Sequence, residues 1–132
     1  MKTKSKAMEA TQLPTEAELE ILNVLWAMGP STVRDVHTLI GKDTGYTTVL
    51  KQMQVMAEKG LLERSEKFRS HVYEPRLAKE QTQQRLARNL VQRAFDGSAK
   101  NLVLGALSSQ KVSAAELKEI RELLDEYEKG AQ

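Results

Sequence analysis

Between Gly45 and Gly60 the chain alternates apolar and polar positions at helical spacing. Tyr46, Val49, Leu50, Met53, Met56 and Ala57 recur at three- and four-residue steps, which predicts a helix with one buried stripe. Thr47, Lys51, Gln54 and Glu58 repeat along a second stripe, with Thr48 and Gln52 beside it, and Gly60 supplies a helix stop. Small hydroxyls, amides and a lysine on an exposed face are the side chains that reach base edges and phosphates in a major groove. They are equally the side chains of an ordinary solvated helix, so this stretch alone leaves both readings open.

The preceding segment adds two more helices. Thr15-Glu16-Ala17-Glu18 has the spacing of a capping box, in which Thr15 accepts from the Glu18 amide while Glu18 reaches back. The helix it opens runs to about Met28, with Leu19, Leu22, Leu25 and Trp26 as its expected core side, and Gly29-Pro30 ends it. Ser31 or Thr32 starts the next, with Val33, Val36, Leu39 and Ile40 inward, and 41–45 form a turn before the Thr47 helix. Two helices joined by a short turn, the second with a polar face, are a helix-turn-helix candidate.

A hairpin is expected after Gly60. Residues 61–66 and 71–74 flank Lys67-Phe68-Arg69-Ser70, and Pro75 closes the second strand where its missing donor does no harm. Lys67 and Arg69 at the tip would sit over phosphate or a minor groove, with Glu66 reducing their effect; a plain surface hairpin of mixed charge has the same pattern. Three helices followed by a basic-tipped hairpin are the order of a winged helix.

Charge narrows the mode of binding. The chain has 132 residues and a net charge of +2, so it is no bulk polyelectrolyte, and 42–76 carry seven basic against five acidic residues. Nucleic-acid binding would have to come from local placement. The length allows one sizeable core plus a helical extension. There is no cysteine, which excludes disulfides and thiolate metal sites and suits a reducing, cytoplasmic setting. The basic start, Met1 to Lys6, lacks the apolar stretch of a signal peptide and is expected to be a disordered arm over 1–9. No apolar run reaches the roughly 20 residues of a membrane span.

Catalytic chemistry finds no constellation. His37 and His71, the two histidines, lie in different expected elements without carboxylate partners at ligand spacing, and both are expected at the surface. Glycine-rich phosphate loops and nucleophile elbows are absent, and Glu16/Glu20 and Glu119/Glu122 fall on solvated helix faces. The chain is therefore not read as an enzyme, and no cofactor or metal is expected.

Beyond Pro75 the character changes. A strongly polar helix carries Leu86, Leu90, Val91, Ala94 and Phe95, and Asp96-Gly97-Ser98 breaks it. Ser98 is placed to cap a short apolar helix, Ala99 to Leu107, and Ser113-Ala114-Ala115-Glu116 has capping-box spacing before a last helix with Leu117, Ile120, Leu124 and Tyr127. These helices have too few apolar residues to stand alone, so they either fold back on their own winged helix or pack against a second subunit.

Taken together, Leu13 to Leu22 with Leu25-Trp26, Thr32-Val33-Arg34-Asp35-Val36, Gly45-Tyr46-Thr47-Thr48-Val49, Glu58-Lys59-Gly60-Leu61, Val72-Tyr73-Glu74-Pro75 and Phe95-Asp96-Gly97-Ser98 resemble the penicillinase-repressor family, which includes the methicillin-resistance repressors and copper-responsive relatives. The resemblance implies a mainly α fold, a winged helix-turn-helix over 10–76 and a helical dimerisation region over 77–129. It implies a transcriptional repressor that binds a double-stranded, pseudo-palindromic operator as a homodimer. The implied DNA contacts are Thr44, Tyr46, Thr47, Thr48, Lys51, Gln54, Lys67, Arg69 and His71. Leu86, Leu90, Phe95, Leu102, Val103, Leu107, Leu117, Ile120, Leu124 and Tyr127 are the implied dimer contacts. Two positions depart from the family: Val55 stands where an arginine is frequent, and the wing lacks the glycine many relatives carry near its tip.

In relatives that control β-lactamase genes, a protease linked to a membrane sensor cuts the repressor in its dimerisation region. A regulatory protease is thus a further implied partner, with Asn101 to Leu107 the corresponding stretch here. Gly105 within it either eases local opening, since glycine lowers helix propensity by about 1 kcal/mol against alanine, or lets two helices pack closely. Two alternatives stay open: a winged helix that binds protein instead of DNA, and a regulator that senses a small molecule.

Overall fold

The computed structural model describes residues 13–41, 43–67 and 70–130. The arm over 1–9 and Arg69 lie outside the described residues, as does the side chain of Lys67. Three helices, α1 (Glu16–Met28), α2 (Val33–Ile40) and α3 (Tyr46–Lys59), lead into an antiparallel hairpin of β1 (Leu62–Lys67) and β2 (Ser70–Pro75). Then come α4 (Lys79–Ala94), α5 (Ala99–Ser109) and α6 (Ala114–Gly130). This is the expected mainly helical winged helix with a helical C-terminal region.

Local sequence sets the helix starts. The Glu18 amide donates to Thr15 Oγ1 (3.2 Å) while the Thr15 amide donates to Glu18 Oε1 (2.9 Å), the reciprocal box read from the spacing. Thr32 caps α2 in the same way with Asp35. Gly60 takes the left-handed conformation (φ 88°) that ends α3.

The core joins all of these elements. Ile21, Leu22 and Leu25 of α1 meet Val33 and Val36 of α2, Val49, Met53 and Met56 of α3, and Leu62 and Tyr73 of the hairpin. Three expected core positions are corrected. In α1 the buried line runs through Glu18, Ile21, Leu22 and Leu25; Leu19 and Trp26, about 100° round the helix, seal its flank instead. In α2 Leu39 is 52% exposed, because it lies about 90° round from the line through Val33, Val36 and Ile40.

The hairpin register runs from Leu62 opposite Pro75 to Lys67 opposite Ser70, so the connection is tighter than the four-residue tip expected. Beyond it, Ser31 exchanges backbone hydrogen bonds with Tyr73 at 3.0 and 2.9 Å, giving β2 a neighbour on each side. Ser31 therefore belongs to the sheet and not to the start of α2.

Glu18 is buried although ionisable. Its Oε2 accepts from Lys59 Nζ at 2.8 Å, which ties the start of α1 to the last turn of α3. Burial pushes the Glu18 carboxyl up, but the hydrogen bonds from Lys59 and Thr15 and the lysine charge outweigh it, and the net shift is downward.

The described residues divide between Ala87 and Arg88 into two compact units. In the first, the Trp26 indole donates to the Leu77 carbonyl (3.1 Å), and Thr82 of α4 is buried. In the second, Asp96 (φ 51°) and Gly97 (φ 79°) turn the chain between α4 and α5, and Ser98 caps α5 through the Asn101 amide (3.0 Å). A Cβ on Gly105 would lie 3.3 Å from Phe95 Cε1, so the glycine marks a close approach of the Phe95 ring. Ser113 Oγ accepts from the Glu116 amide (3.1 Å) at the start of α6.

Glu18 yields a pH prediction. A carboxyl whose pKa is lowered on folding adds stability above its unfolded value, near 4.5, and that stability is lost as pH falls through the lower folded value. Glu18→Gln should therefore cost roughly 1–3 kcal/mol at neutral pH by urea titration. The gap from wild type should narrow as the pH drops below 4.5.

Candidate nucleic-acid interface

α3 is pinned in rotation by its core side. Val49, Met53 and Met56 are completely buried, with Leu50 and Ala57 packed along the flank. At 100° per residue this turns Thr47, Lys51, Gln54 and Glu58 to the opposite side, and all four are exposed. Thr48 is exposed beside them and Gln52 is half-buried. Tyr46 was expected in the buried stripe, but it sits before the first core residue of the helix and stays 44% exposed.

The start of α3 is open to an anion. Its N-cap is Gly45, which places no side-chain oxygen on the first-turn amides. Uncapped amides with the positive end of the helix dipole favour a phosphate. At the other end Lys59 is engaged by Glu18, which leaves Lys51 as the cation of the exposed stripe.

A cleft of about 300 Å³ lies beside this helix start, lined by Thr32, Val33, Arg34, Tyr46, Leu50, Ser70, His71 and Tyr73. It brings together the first turn of α2, the first residue of α3 and the wing, three elements far apart in sequence. Arg34 is exposed on its rim. His71 lies across from Glu66 in the hairpin register, with Nε2 3.7 Å from Glu66 Oε2. Opposed residues share a face, so His71, Glu66 and the buried Tyr73 lie on the α3 side of the wing.

Of the residues singled out from the sequence, Tyr46, Thr47, Thr48, Lys51, Gln54 and His71 are exposed on α3 and the wing, and the backbone of Lys67 pairs with Ser70 at the tip. Thr44 is half-buried in the turn, where its carbonyl meets His37 Nε2 at 2.8 Å. His37, expected at the surface, is instead half-buried because it makes this contact and packs edge-on against Tyr46. Arg34 and Ser70 were missed. The usable signal for Arg34 was its place two residues after the Thr32 cap, in the first turn of α2.

In the C-terminal unit, Leu102, Leu107, Leu117 and Ile120 are half-buried, as is Phe95. Leu90, Val103, Leu124 and Tyr127 are exposed, and Leu104 and Leu123, not singled out before, join them. Leu86 is half-buried on α4. Among the described residues no group of His, Asp and Glu is placed to hold a metal ion, and no helix is long and apolar enough to cross a membrane.

A model of the penicillinase repressor family matches residues 14–126. The chain belongs to the penicillinase repressor family. It is a transcriptional repressor, and its chemistry is recognition, not catalysis. The penicillinase repressor of Bacillus licheniformis is 23% identical over 115 residues, covering 86% of this chain and 90% of that protein. The transcriptional regulator BlaI of Mycobacterium tuberculosis, from two strains, is 29% identical over 118 residues, covering 87% of this chain and 85% of that protein.

The open N-cap can be probed directly. A Cβ at Gly45 has room, with Thr48 Oγ1 at 4.0 Å, and the residue is at an ordinary φ of −70°. Gly45→Asp should raise stability by a few tenths of a kcal/mol through capping. The same carboxylate should weaken DNA binding by occupying the amides and repelling phosphate. Melting and duplex-shift assays on one preparation check both signs.

Proposed function

We propose that this repressor acts in the cytoplasm as a homodimer on a pseudo-palindromic operator, with 10–76 as the DNA-binding domain and 77–129 as the dimerisation domain. α3 enters the major groove with Thr47, Thr48, Lys51 and Gln54 toward base edges. The first-turn amides and Tyr46 meet the backbone, with Thr44 in the turn beside it. Arg34 and His71 take phosphates on either side of the cleft, and the wing residues Lys67 and Arg69 reach an adjacent phosphate or the minor groove. One observation carries the reading: a polar stripe with a single lysine faces solvent directly opposite a completely buried stripe, on a helix whose N-terminus no side chain caps.

Dimerisation rests on the C-terminal unit. No residue of α5 or α6 is buried, and Leu104, Leu123, Leu124 and Tyr127 are 61%, 52%, 58% and 71% exposed. Apolar surface of that extent on two successive helices calls for a partner, and a second copy of the chain supplies a self-complementary one. Derepression then follows from proteolysis within Asn101 to Leu107, which separates the two reading heads.

DNA enriched from a random duplex pool tests the reading surface. Thr48→Ala should cost roughly 1–3 kcal/mol of discrimination between the enriched site and its variants. Lys51→Ala should weaken binding to all sequences and lower the salt slope by about 1. A Thr47→Ala/Lys51→Ala double variant that is folded by circular dichroism and binds like wild type would remove α3 from the interface.

The dimer predicts the length of the site and the effect of a cut. Half-sites should lie about one helical turn, or a multiple of it, apart. The intact chain should sediment as a dimer at tens of micromolar. Cleavage inserted between Asn101 and Leu107 should give monomeric heads whose operator affinity falls by a factor on the order of 10²–10⁴. A monomeric intact chain, or undiminished binding after the cut, contradicts it.

A further inference from the structure

We infer that His37 is a positioning residue for operator reading, one that fixes where α3 begins; this rests on the DNA-reading role of α3 proposed above. His37 holds both ends of the turn that joins α2 to α3. Its backbone carbonyl accepts from the Gly41 amide (3.2 Å), which closes α2. Its Nε2 lies 2.8 Å from the carbonyl oxygen of Thr44, the residue just before the Gly45 N-cap. A carbonyl oxygen only accepts, so Nε2 carries the proton and donates. The same ring stands edge-on to Tyr46, with centroids 5.8 Å apart and planes at 85°.

The turn needs such a tether. Gly41 sits at φ 115°, a conformation glycine adopts freely, and Gly45 gives the next helix no side-chain cap. Backbone freedom at both ends would let the first turn of α3 wander. Thr47 and Thr48 follow Thr44 by three and four residues, and hydrogen bonds to base edges tolerate only a few tenths of an ångström. Tyr46, held by the same imidazole, lines the cleft with Arg34 and His71. One half-buried side chain off the exposed stripe thus aligns the groove-facing threonines and the backbone-facing tyrosine together, and so spares their ordering on binding.

The full-length chain and its enriched duplex provide the test. His37→Phe keeps a ring against Tyr46 and removes the donor, whereas His37→Gln keeps an N–H that reaches the Thr44 carbonyl. His37→Phe should lose about tenfold in specific affinity, equivalent to about 1.4 kcal/mol. Its binding to random duplex and its salt slope should not change, and His37→Gln should recover most of the loss. Wild-type affinity in His37→Phe overturns the inference, as does a glutamine variant no better than phenylalanine. A salt slope lowered by about 1 would make His37 a direct phosphate contact and also overturns it. Should His37→Phe not fold, ¹⁵N spectra of the unmodified protein decide: the Nε2–H tautomer is expected, and the Nδ1–H tautomer refutes the tether. Failure of the wild type to enrich any duplex would strike the reading role of α3 itself, whereas the variant and tautomer results bear on His37 alone.

Discussion

The rotation of α3 about its own axis is the constraint on which the rest of the molecule depends. Val49, Met53 and Met56 are each without solvent exposure, and burying such a side chain contributes on the order of 1.5–3 kcal/mol. Turning the helix enough to hide Lys51 or Gln54 would bring those three into water. The identity of the outward face is therefore decided by the inward one. Thr47 and Thr48 are exposed and have no packing duty, which leaves them free for the reading role proposed for this face.

Rotation alone would still let the helix slide along its axis, and contacts from outside α3 oppose that. At its end, Lys59 is drawn to Glu18 of α1 while Gly60 reverses the chain into β1. At its start, the Thr44 carbonyl is held by His37 of α2. The cation in the last turn is used up by the fold and is not offered to phosphate. That fits a chain of net charge +2, whose affinity must come from a few well-placed groups.

Features set by short spacing were legible in the sequence. The box at Thr15, the stop at Gly60 and the cap at Ser98 depend on residues three positions apart, and each formed where its pattern lay, whereas the start of α2 was open between Ser31 and Thr32 and falls to Thr32. The exposed stripe of α3 was legible for a related reason, since fourteen residues sample the helical period nearly four times. α1 is apolar on most sides, so periodicity there could not separate Ile21 from Leu19. α2 has eight residues, too few for the pattern to show that Leu39 lies off the core line. Glu18 with Lys59 and Ser31 with Tyr73 are pairings across tens of residues, and Arg34 and His71 come to one cleft from elements equally far apart; nothing local announces these.

The bridge from Ser31 to Tyr73 has a consequence for how these molecules coexist at high concentration. It gives β2 a partner on each side, so among the described residues the hairpin's free edge is β1 alone. An unpaired strand invites a neighbouring molecule to extend the sheet, and strands that resist this carry charge along their length. β1 reads Leu62-Glu63-Arg64-Ser65-Glu66-Lys67, with four of its six side chains charged and the signs alternating along each face. A second hairpin laid against it would face the exposed charges of Glu63, Arg64 and Glu66, which must be stripped of water. Self-association through the wing is thereby disfavoured.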